Sequence, residues 1–133
     1  MSADDNIKTI QAIYEAFGRG DAPAILETLA GDVDWAADAA STSAPWYGNR
    51  RGVAEVGAFF QAVGEAVEVL EFTPLSFAAN DTDVHSLVRY ASKSRATGKE
   101  AHMHLHHFFQ FRDGKIVYYR GSEDTELTAA TLG

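Results

Sequence analysis

A hairpin near the C-terminus constrains the fold more than any other stretch of this chain. Residues Glu100–Phe111 and Lys115–Glu123 have the pattern of two strands, joined at Arg112-Asp113-Gly114, and an Asp-Gly pair between strands is a strong hairpin signal. Side chains alternate across a strand, so the first strand has one face that is almost wholly apolar, with Ala101, Met103, Leu105, His107, Phe109 and Phe111. This face is expected to pack against a hydrophobic core.

His107 interrupts the apolar face and is the first candidate for chemistry. An ionisable ring in apolar surroundings must find a partner or stay neutral, because desolvation disfavours its charged form. A neutral imidazole beside a carboxylate such as Glu123 can act as a general acid or base near neutral pH. The alternative is a core histidine whose hydrogen bonds are satisfied by Tyr119 or by a backbone carbonyl.

The opposite face of the same strand carries three histidines in a row, at positions 102, 104 and 106. Histidines at alternate strand positions can ligate zinc together with further ligands. This face lies on the opposite side of the strand from the apolar, core-packing one, however, and would point to solvent or to a second subunit. We therefore expect no metal site but a polar dimer interface, whose stability would depend on pH below about 6.5.

The first half of the chain reads mainly as helix. Apolar residues from Ile7 to Phe17 recur at helical spacing, and Ser2 and Asp5 are spaced to form a capping box. The predicted elements are, in order, helices over about Asp4–Phe17 and Ala22–Leu29, a short strand over Asp32–Ala37, a loop over Asp38–Asn49, and a helix over about Val53–Val67.

The apolar period changes from helical to alternating at Val69. Strands over Val69–Phe77 and Val84–Arg95 are followed by the hairpin, and a short helical turn ends the chain at Glu126–Leu132. Helices followed by a meander of four strands predict an α+β fold, with a curved antiparallel sheet wrapped on the N-terminal helices. The length of 133 residues predicts a single domain, residues 1–133.

Composition excludes several classes of function. The formal net charge is −8, from 11 basic and 19 acidic residues, which argues against nucleic acid or an anionic membrane as a partner. The chain has no cysteine, so thiolate metal sites are excluded. No apolar run is long enough to span a bilayer and the N-terminus lacks the features of a signal peptide, so we expect a cytoplasmic protein.

Three stretches in this order resemble the NTF2-like superfamily, and within it the SnoaL-like and ketosteroid-isomerase-like proteins. They are Ile13–Asp21 with Leu29–Trp35, then Pro45–Phe60, then His107–Arg120. The resemblance implies a cone, in which helices close one side of a bent sheet around an apolar cavity. It also implies a homodimer formed through the convex face of the sheet. The cone hosts many activities, so residue roles must be carried over one by one.

The isomerases of this superfamily use a tyrosine, a protonated aspartate and a second aspartate that moves the proton. The tyrosine's position falls here on Ile13, one residue before Tyr14. The protonated aspartate's position falls on His107, and the base's position falls on Ala37, one residue before Asp38. At two of these three aligned positions the residue type that the role needs is therefore missing.

The cyclase-like members carry an acid at a position that falls on Gly121, three residues before Asp124. Many SnoaL-like sequences have an aspartate where Asp124 stands, although Asp124 is also suited to cap the terminal helical turn. The resemblance therefore leaves His107, with Glu123 or Asp124 as a nearby acid, as the candidate catalytic set.

The register of the hairpin decides what faces His107. A three-residue loop puts Tyr119 directly opposite His107, with Gly121 and Glu123 on the same face. A two-residue loop puts Tyr118 and Arg120 on that face instead. The first register agrees with the resemblance and is the one that we expect.

The expected function is cofactor-free proton-transfer chemistry, of the isomerase, cyclase or hydrolase type, on a small apolar carbonyl or aromatic ligand in the cone. The alternative is a homodimeric module of the same fold that binds a hydrophobic ligand without turning it over. The expected ligand-binding residues are Tyr14, Trp35, Trp46, Tyr47, Phe59, Phe60, Val63, Met103, Leu105, Phe109 and Tyr119.

Overall fold

A computed structural model of the protein describes residues 2–133 and confirms the α+β class. Among these residues, no helix is both long and apolar enough to cross a membrane. The elements are, in chain order, α1 (Ala3–Gly18), α2 (Ala22–Leu26), β1 (Leu29–Ala37), β2 (Gly48–Arg51), α3 (Gly52–Ala66), β3 (Val67–Ala79), β4 (Asp83–Ser94), β5 (Glu100–Arg112), β6 (Lys115–Ser122) and α4 (Thr125–Leu132).

One sheet of six strands organises the fold, in the order β2-β1-β6-β5-β4-β3. Strands β3 to β6 form the predicted antiparallel meander. Strand β1, whose place in the sheet the sequence did not predict, runs parallel to β6, with Trp35 paired to Tyr119. No tight turn joins β1 to β6, because α3 and four strands lie between them in the chain, and such a crossover allows parallel pairing.

Two predicted boundaries in the first half of the chain were wrong. Helix α2 ends at Leu26, and Leu29 and Ala30 begin β1, where both are buried. The predicted loop over Asp38–Asn49 ends in strand β2, which pairs antiparallel with β1 at the sheet edge. The sequence of β2, Gly-Asn-Arg-Arg, does not alternate between apolar and polar residues, so no strand was predicted there. The Arg51 guanidinium contacts the Asp34 carboxylate of β1 at 3.3 Å.

The β5–β6 turn has two residues, Asp113 and Gly114, with φ of 52° and 77°. Both residues adopt the left-handed region that a tight hairpin of this kind requires, which explains the Asp-Gly pair. The three-residue loop that we expected is therefore wrong.

An irregularity in the ladder nevertheless gives His107 the neighbours expected of the longer loop. Phe111 pairs with Ile116, but Gln110 pairs with Tyr118, so Val117 is an extra residue in a β-bulge. Beyond the bulge His107 lies opposite Gly121, and Tyr119 lies opposite Phe109. The prediction that Tyr119 and Gly121 share the face of His107 was correct. The prediction that Tyr119 lies directly opposite His107 was wrong, because Gly121 holds that position.

The helices cover the concave face of the sheet and bury its apolar side chains. Fully buried members of this core are Ile10 of α1, Ile25 of α2, Val56 of α3, Val84 and Val88 of β4, and Ile116 of β6. Each such aliphatic side chain contributes about 1.5–3 kcal/mol relative to exposure. The helix starts agree with the sequence: Ser2 and Asp5 form the predicted capping box, and Asp21 caps α2.

The convex face carries His102, His104 and His106, all exposed. His102 Nε2 lies 3.1 Å from the Glu100 carboxylate, and the described chain has no cluster of three or more metal-ligating side chains suited to an ion. The homodimer through this face stays a prediction.

Candidate functional site

An apolar cavity of about 100 Å³ lies between the concave face of the sheet and helices α1, α3 and α4. For comparison, a fully apolar engineered cavity of about 150 Å³ takes up benzene. The volume therefore suits a ligand of about one ring. Nine of the predicted ligand-binding residues line the cavity: Tyr14, Trp35, Trp46, Phe59, Phe60, Val63, Leu105, Phe109 and Tyr119.

Two predicted wall residues lie outside the cavity lining. Tyr47 is buried beside Trp46 and points its hydroxyl at Glu123, while Met103 packs on β5 opposite Tyr90 of β4. The sequence analysis missed several residues of the lining, among them Phe17, Phe72, Tyr90, Ser92, Thr128 and Leu132. For Tyr90 and Ser92 a signal was available, since strand alternation puts both on the face of the buried Val88.

His107 lies in the cavity wall on β5, among aromatic rings. Its Nδ1 atom is 2.7 Å from the phenolic oxygen of Tyr14, and its Nε2 atom has no hydrogen-bond partner among residues 2–133. Burial, with a smaller contribution from the neighbouring His106, lowers the pKa of His107 to about 3. The imidazole is therefore neutral at pH 7, and its remaining accessible surface faces the cavity.

Tyr14 anchors this imidazole from helix α1. Its hydroxyl also hydrogen-bonds Ser86 on β4, and burial raises its pKa well above the ordinary range, so the phenol stays protonated. The tyrosine that contacts His107 therefore lies one residue beyond the position implied by the resemblance, and Ile13 lines the cavity too. The base's position stays without a carboxylate, since Ala37 is in the wall and Asp38 is exposed.

Glu123 lies just after the end of β6 and lines the cavity. Its carboxylate accepts three hydrogen bonds, from Trp46 Nε1 at 3.1 Å, from the Tyr47 hydroxyl at 3.0 Å and from the Thr128 hydroxyl at 2.6 Å. Bonds to an ionised acceptor are the stronger kind, so they fix the position of this carboxylate.

No hydrogen bond joins His107 to an acid among residues 2–133: its Nδ1 atom contacts the Tyr14 hydroxyl, and its Nε2 atom has no partner there. Glu123 follows Gly121, the cross-strand partner of His107, by two residues. Both His107 and Glu123 line the cavity, so a ligand there can contact the two groups.

Asp124 takes no part in the cavity wall. Its side chain is exposed and accepts a hydrogen bond at 3.0 Å from the backbone N–H of Leu127, which caps the start of α4. Of the three predicted catalytic residues, the structure therefore brings two, His107 and Glu123, to the cavity.

Comparisons with known proteins agree with this architecture. The model of the SnoaL-like domain matches residues 10–119 of the chain. An NTF2-like protein from Burkholderia xenovorans has 24% identity and a TM-score of 0.88, over 100% of this chain and 99% of that one. An NTF2-like protein from Burkholderia pseudomallei has 26% identity and a TM-score of 0.88, over 96% and 97%.

A third structure, described as a candidate polyketide cyclase from Xanthomonas campestris, has 23% identity and a TM-score of 0.81, with 98% of both chains covered. No protein of curated function matches the sequence. The family match spans most of the chain, and the topology agrees with it. The chain therefore belongs to the SnoaL-like family of the NTF2-like superfamily.

Proposed function

We propose that this protein is a cofactor-free proton-transfer enzyme of the isomerase type, acting on a small apolar carbonyl compound of about one ring. The observation that carries the proposal is His107, a half-buried neutral imidazole anchored at Nδ1 by Tyr14, with Nε2 left open at an apolar cavity. In this reaction His107 is the hydrogen-bond donor to the carbonyl oxygen, and Glu123 is the base.

The donor role for His107 follows from its protonation state. A group with a pKa of about 3 is a poor proton acceptor at pH 7, so the imidazole is ill suited to remove a proton from carbon. A neutral imidazole can polarise a carbonyl by donating from Nε2, as in triosephosphate isomerase. When the Tyr14 hydroxyl donates to Nδ1, the ring proton is on Nε2, which is the tautomer that this role needs.

Glu123 supplies the carboxylate that the reaction needs. An ionised carboxylate removes a proton from the carbon next to the carbonyl, the electrons move into the carbonyl to form an enolate, and the same proton returns to a different carbon. Hydrogen bonds from Trp46, Tyr47 and Thr128 hold the carboxylate at the cavity wall. The oxygen that receives charge in the enolate would lie against His107, where low polarity strengthens each hydrogen bond.

The test is isomerisation of a β,γ-unsaturated cyclohexenone to its conjugated isomer, followed by ultraviolet absorbance. We expect the wild type to accelerate this reaction and Glu123→Gln to slow it by at least about a hundredfold, the usual range for a general base. Asp124→Asn is the matched control, because it changes the same charge one residue away but outside the cavity. A wild-type rate equal to that in buffer would overturn the proposal.

A binding module without turnover is the second candidate, and one observation favours it. Three of the four lone-pair positions of the Glu123 carboxylate already accept hydrogen bonds, which leaves one for a substrate proton. Micromolar binding of small phenols with no turnover of any ketone in a panel of unsaturated ketones would select this candidate.

A further inference from the structure

The side chain of Tyr119 occupies space that only a glycine at position 121 leaves free. A Cβ built on Gly121 would lie 2.9 Å from the Tyr119 Cζ atom and closer still to its hydroxyl oxygen, which real Cβ atoms essentially never do. Any side chain at this position would displace the Tyr119 ring. The φ of Gly121 is not in the left-handed region, so the need for glycine comes from this close approach.

The Tyr119 side chain is buried, but its hydroxyl keeps accessible surface at the cavity and has no partner among residues 2–133. The residue is 6% exposed, and its hydroxyl makes no hydrogen bond to any group in residues 2–133. Most buried hydroxyls in proteins are hydrogen-bonded, so an open one in a cavity wall needs an explanation. Burial also raises the pKa of Tyr119 well above its usual value, so the group keeps its proton.

This hydroxyl lies beside the open edge of His107. The same Cβ position on Gly121 is 3.3 Å from His107 Cδ2, the ring carbon bonded to Nε2, and Gly121 is the direct cross-strand partner of His107. The centres of the Tyr119 and His107 rings are 5.4 Å apart. The Tyr119 hydroxyl and His107 Nε2, neither of which has a partner among residues 2–133, therefore lie next to the same part of the cavity.

The Tyr119 ring is held firmly in this position. It stacks on the indole of Trp35 with ring centres 3.9 Å apart and also contacts Phe109, with ring centres 4.9 Å apart. A donor fixed by packing binds an acceptor without first losing side-chain freedom, which favours a binding role.

We infer that the Tyr119 hydroxyl and His107 Nε2 donate together to one ligand oxygen, forming a two-donor site for a carbonyl, enolate or phenolate oxygen. The inference rests on the proposed function and adds a second donor to it. Gly121 is the positioning residue of this site, since it makes the room that the hydroxyl occupies. The ligand class is an aromatic or enolisable ring with one exposed oxygen.

The experiment compares two probes that differ only at that oxygen, para-nitrophenol and para-nitrotoluene. Tyr119→Phe removes the hydroxyl and keeps the ring, so we expect affinity for para-nitrophenol to fall about tenfold and affinity for para-nitrotoluene to stay within about twofold. A packing role alone would weaken both probes equally. Circular dichroism and urea unfolding confirm that each variant is folded.

Gly121→Ala tests the positioning role through a double-mutant cycle. In the wild type the added methyl group moves the Tyr119 hydroxyl, so we expect the same selective loss of para-nitrophenol binding. In a protein that already carries Tyr119→Phe, adding Gly121→Ala should lower the affinity for para-nitrophenol little further, because the hydroxyl is already gone. If Gly121→Ala does not fold, Tyr119→Phe alone decides.

Unchanged para-nitrophenol affinity in Tyr119→Phe, or an equal loss for both probes, would overturn the inference. Turnover of the cyclohexenone separates this failure from failure of the proposed function. Turnover that needs Glu123 and His107 but not Tyr119 leaves the proposed function standing with a single donor.

Discussion

The Nδ1 atom of His107 lies 2.7 Å from the phenolic oxygen of Tyr14, and this contact joins strand β5 to helix α1 across the cavity wall. Tyr14 continues the contact to Ser86 on β4, so three polar side chains form one chain in apolar surroundings. An imidazole nitrogen without a hydrogen bond in these surroundings would cost free energy of folding. The Tyr14 hydroxyl provides the hydrogen bond to Nδ1 of the neutral imidazole. The contact between His107 and Tyr14 therefore stabilises the fold and also orients the Nε2 atom of His107.

Tyr14→Phe should destabilise the protein by about 1–3 kcal/mol, because it leaves both His107 Nδ1 and Ser86 Oγ without their partner. Urea unfolding measures the loss. Ser86→Ala is the control, since it removes only the far hydrogen bond and should cost less, about 0.5–1.5 kcal/mol. Equal stability of Tyr14→Phe and the wild type would show that the pair contributes nothing to the fold.

The low pKa of His107 should make stability depend on pH. The folded-state pKa is about 3 and the unfolded value is about 6.5, so between these values the unfolded chain binds a proton that the folded chain does not. Stability should therefore fall as pH drops from about 6.5 towards 3, by up to about 1.4 kcal/mol per pH unit from this group.

His107→Gln isolates that contribution, since it removes the titrating ring and leaves the carboxylates unchanged. Unfolding free energies of both proteins, measured at several pH values between 4 and 7, should give a shallower slope for the variant. Identical slopes would contradict a neutral His107 in the folded protein.

Periodicity and turn residues predicted most of the fold. The switch from helical to alternating pattern at Val69 located the sheet, and the Asp113-Gly114 pair located the hairpin. The bulge at Val117 could not be predicted, because no glycine or proline marks it and an extra residue in a strand follows from tertiary packing. That single residue decides which side chains of β6 face His107.

The site was predicted only in part. His107 was identifiable because a polar residue interrupted an apolar face, but its partner was not. Adjacent residues on a helix differ by about 100° in direction, so whether Ile13 or Tyr14 meets the sheet depends on how α1 lies across it. The long-range contacts of Glu123 with Trp46 and Tyr47 likewise come from a loop with no periodic pattern.

Asp124→Ala should lower stability by about 1 kcal/mol and leave turnover and ligand affinity unchanged. The side chain caps α4 through the Leu127 N–H and lies outside the cavity, so its loss costs a helix cap and no chemistry. Asp124→Asn retains a good capping residue and should be close to wild type. Urea unfolding and cyclohexenone turnover together check this, and a selective loss of turnover would restore Asp124 as a catalytic candidate.

Glu123→Ala should loosen the loop of residues 38–47 as well as remove the proposed base. Trp46, Tyr47 and Thr128 all donate to this carboxylate and are all buried, so its removal leaves three donors without an acceptor. Unsatisfied buried donors cost about 1–3 kcal/mol each, and we expect a loss of at least about 2 kcal/mol in urea unfolding.

Amide hydrogen exchange should rise in that loop and in α4, and stay unchanged in β4 and β5, which the carboxylate does not touch. Thr128→Val is the matched control, because it removes one donor and keeps the carboxylate with its two loop contacts. Faster exchange across the whole sheet in Glu123→Ala would show that the residue supports the entire fold. Exchange confined to the loop and α4 would show that Glu123 holds Trp46 in the cavity wall, so that the proposed base also closes the site.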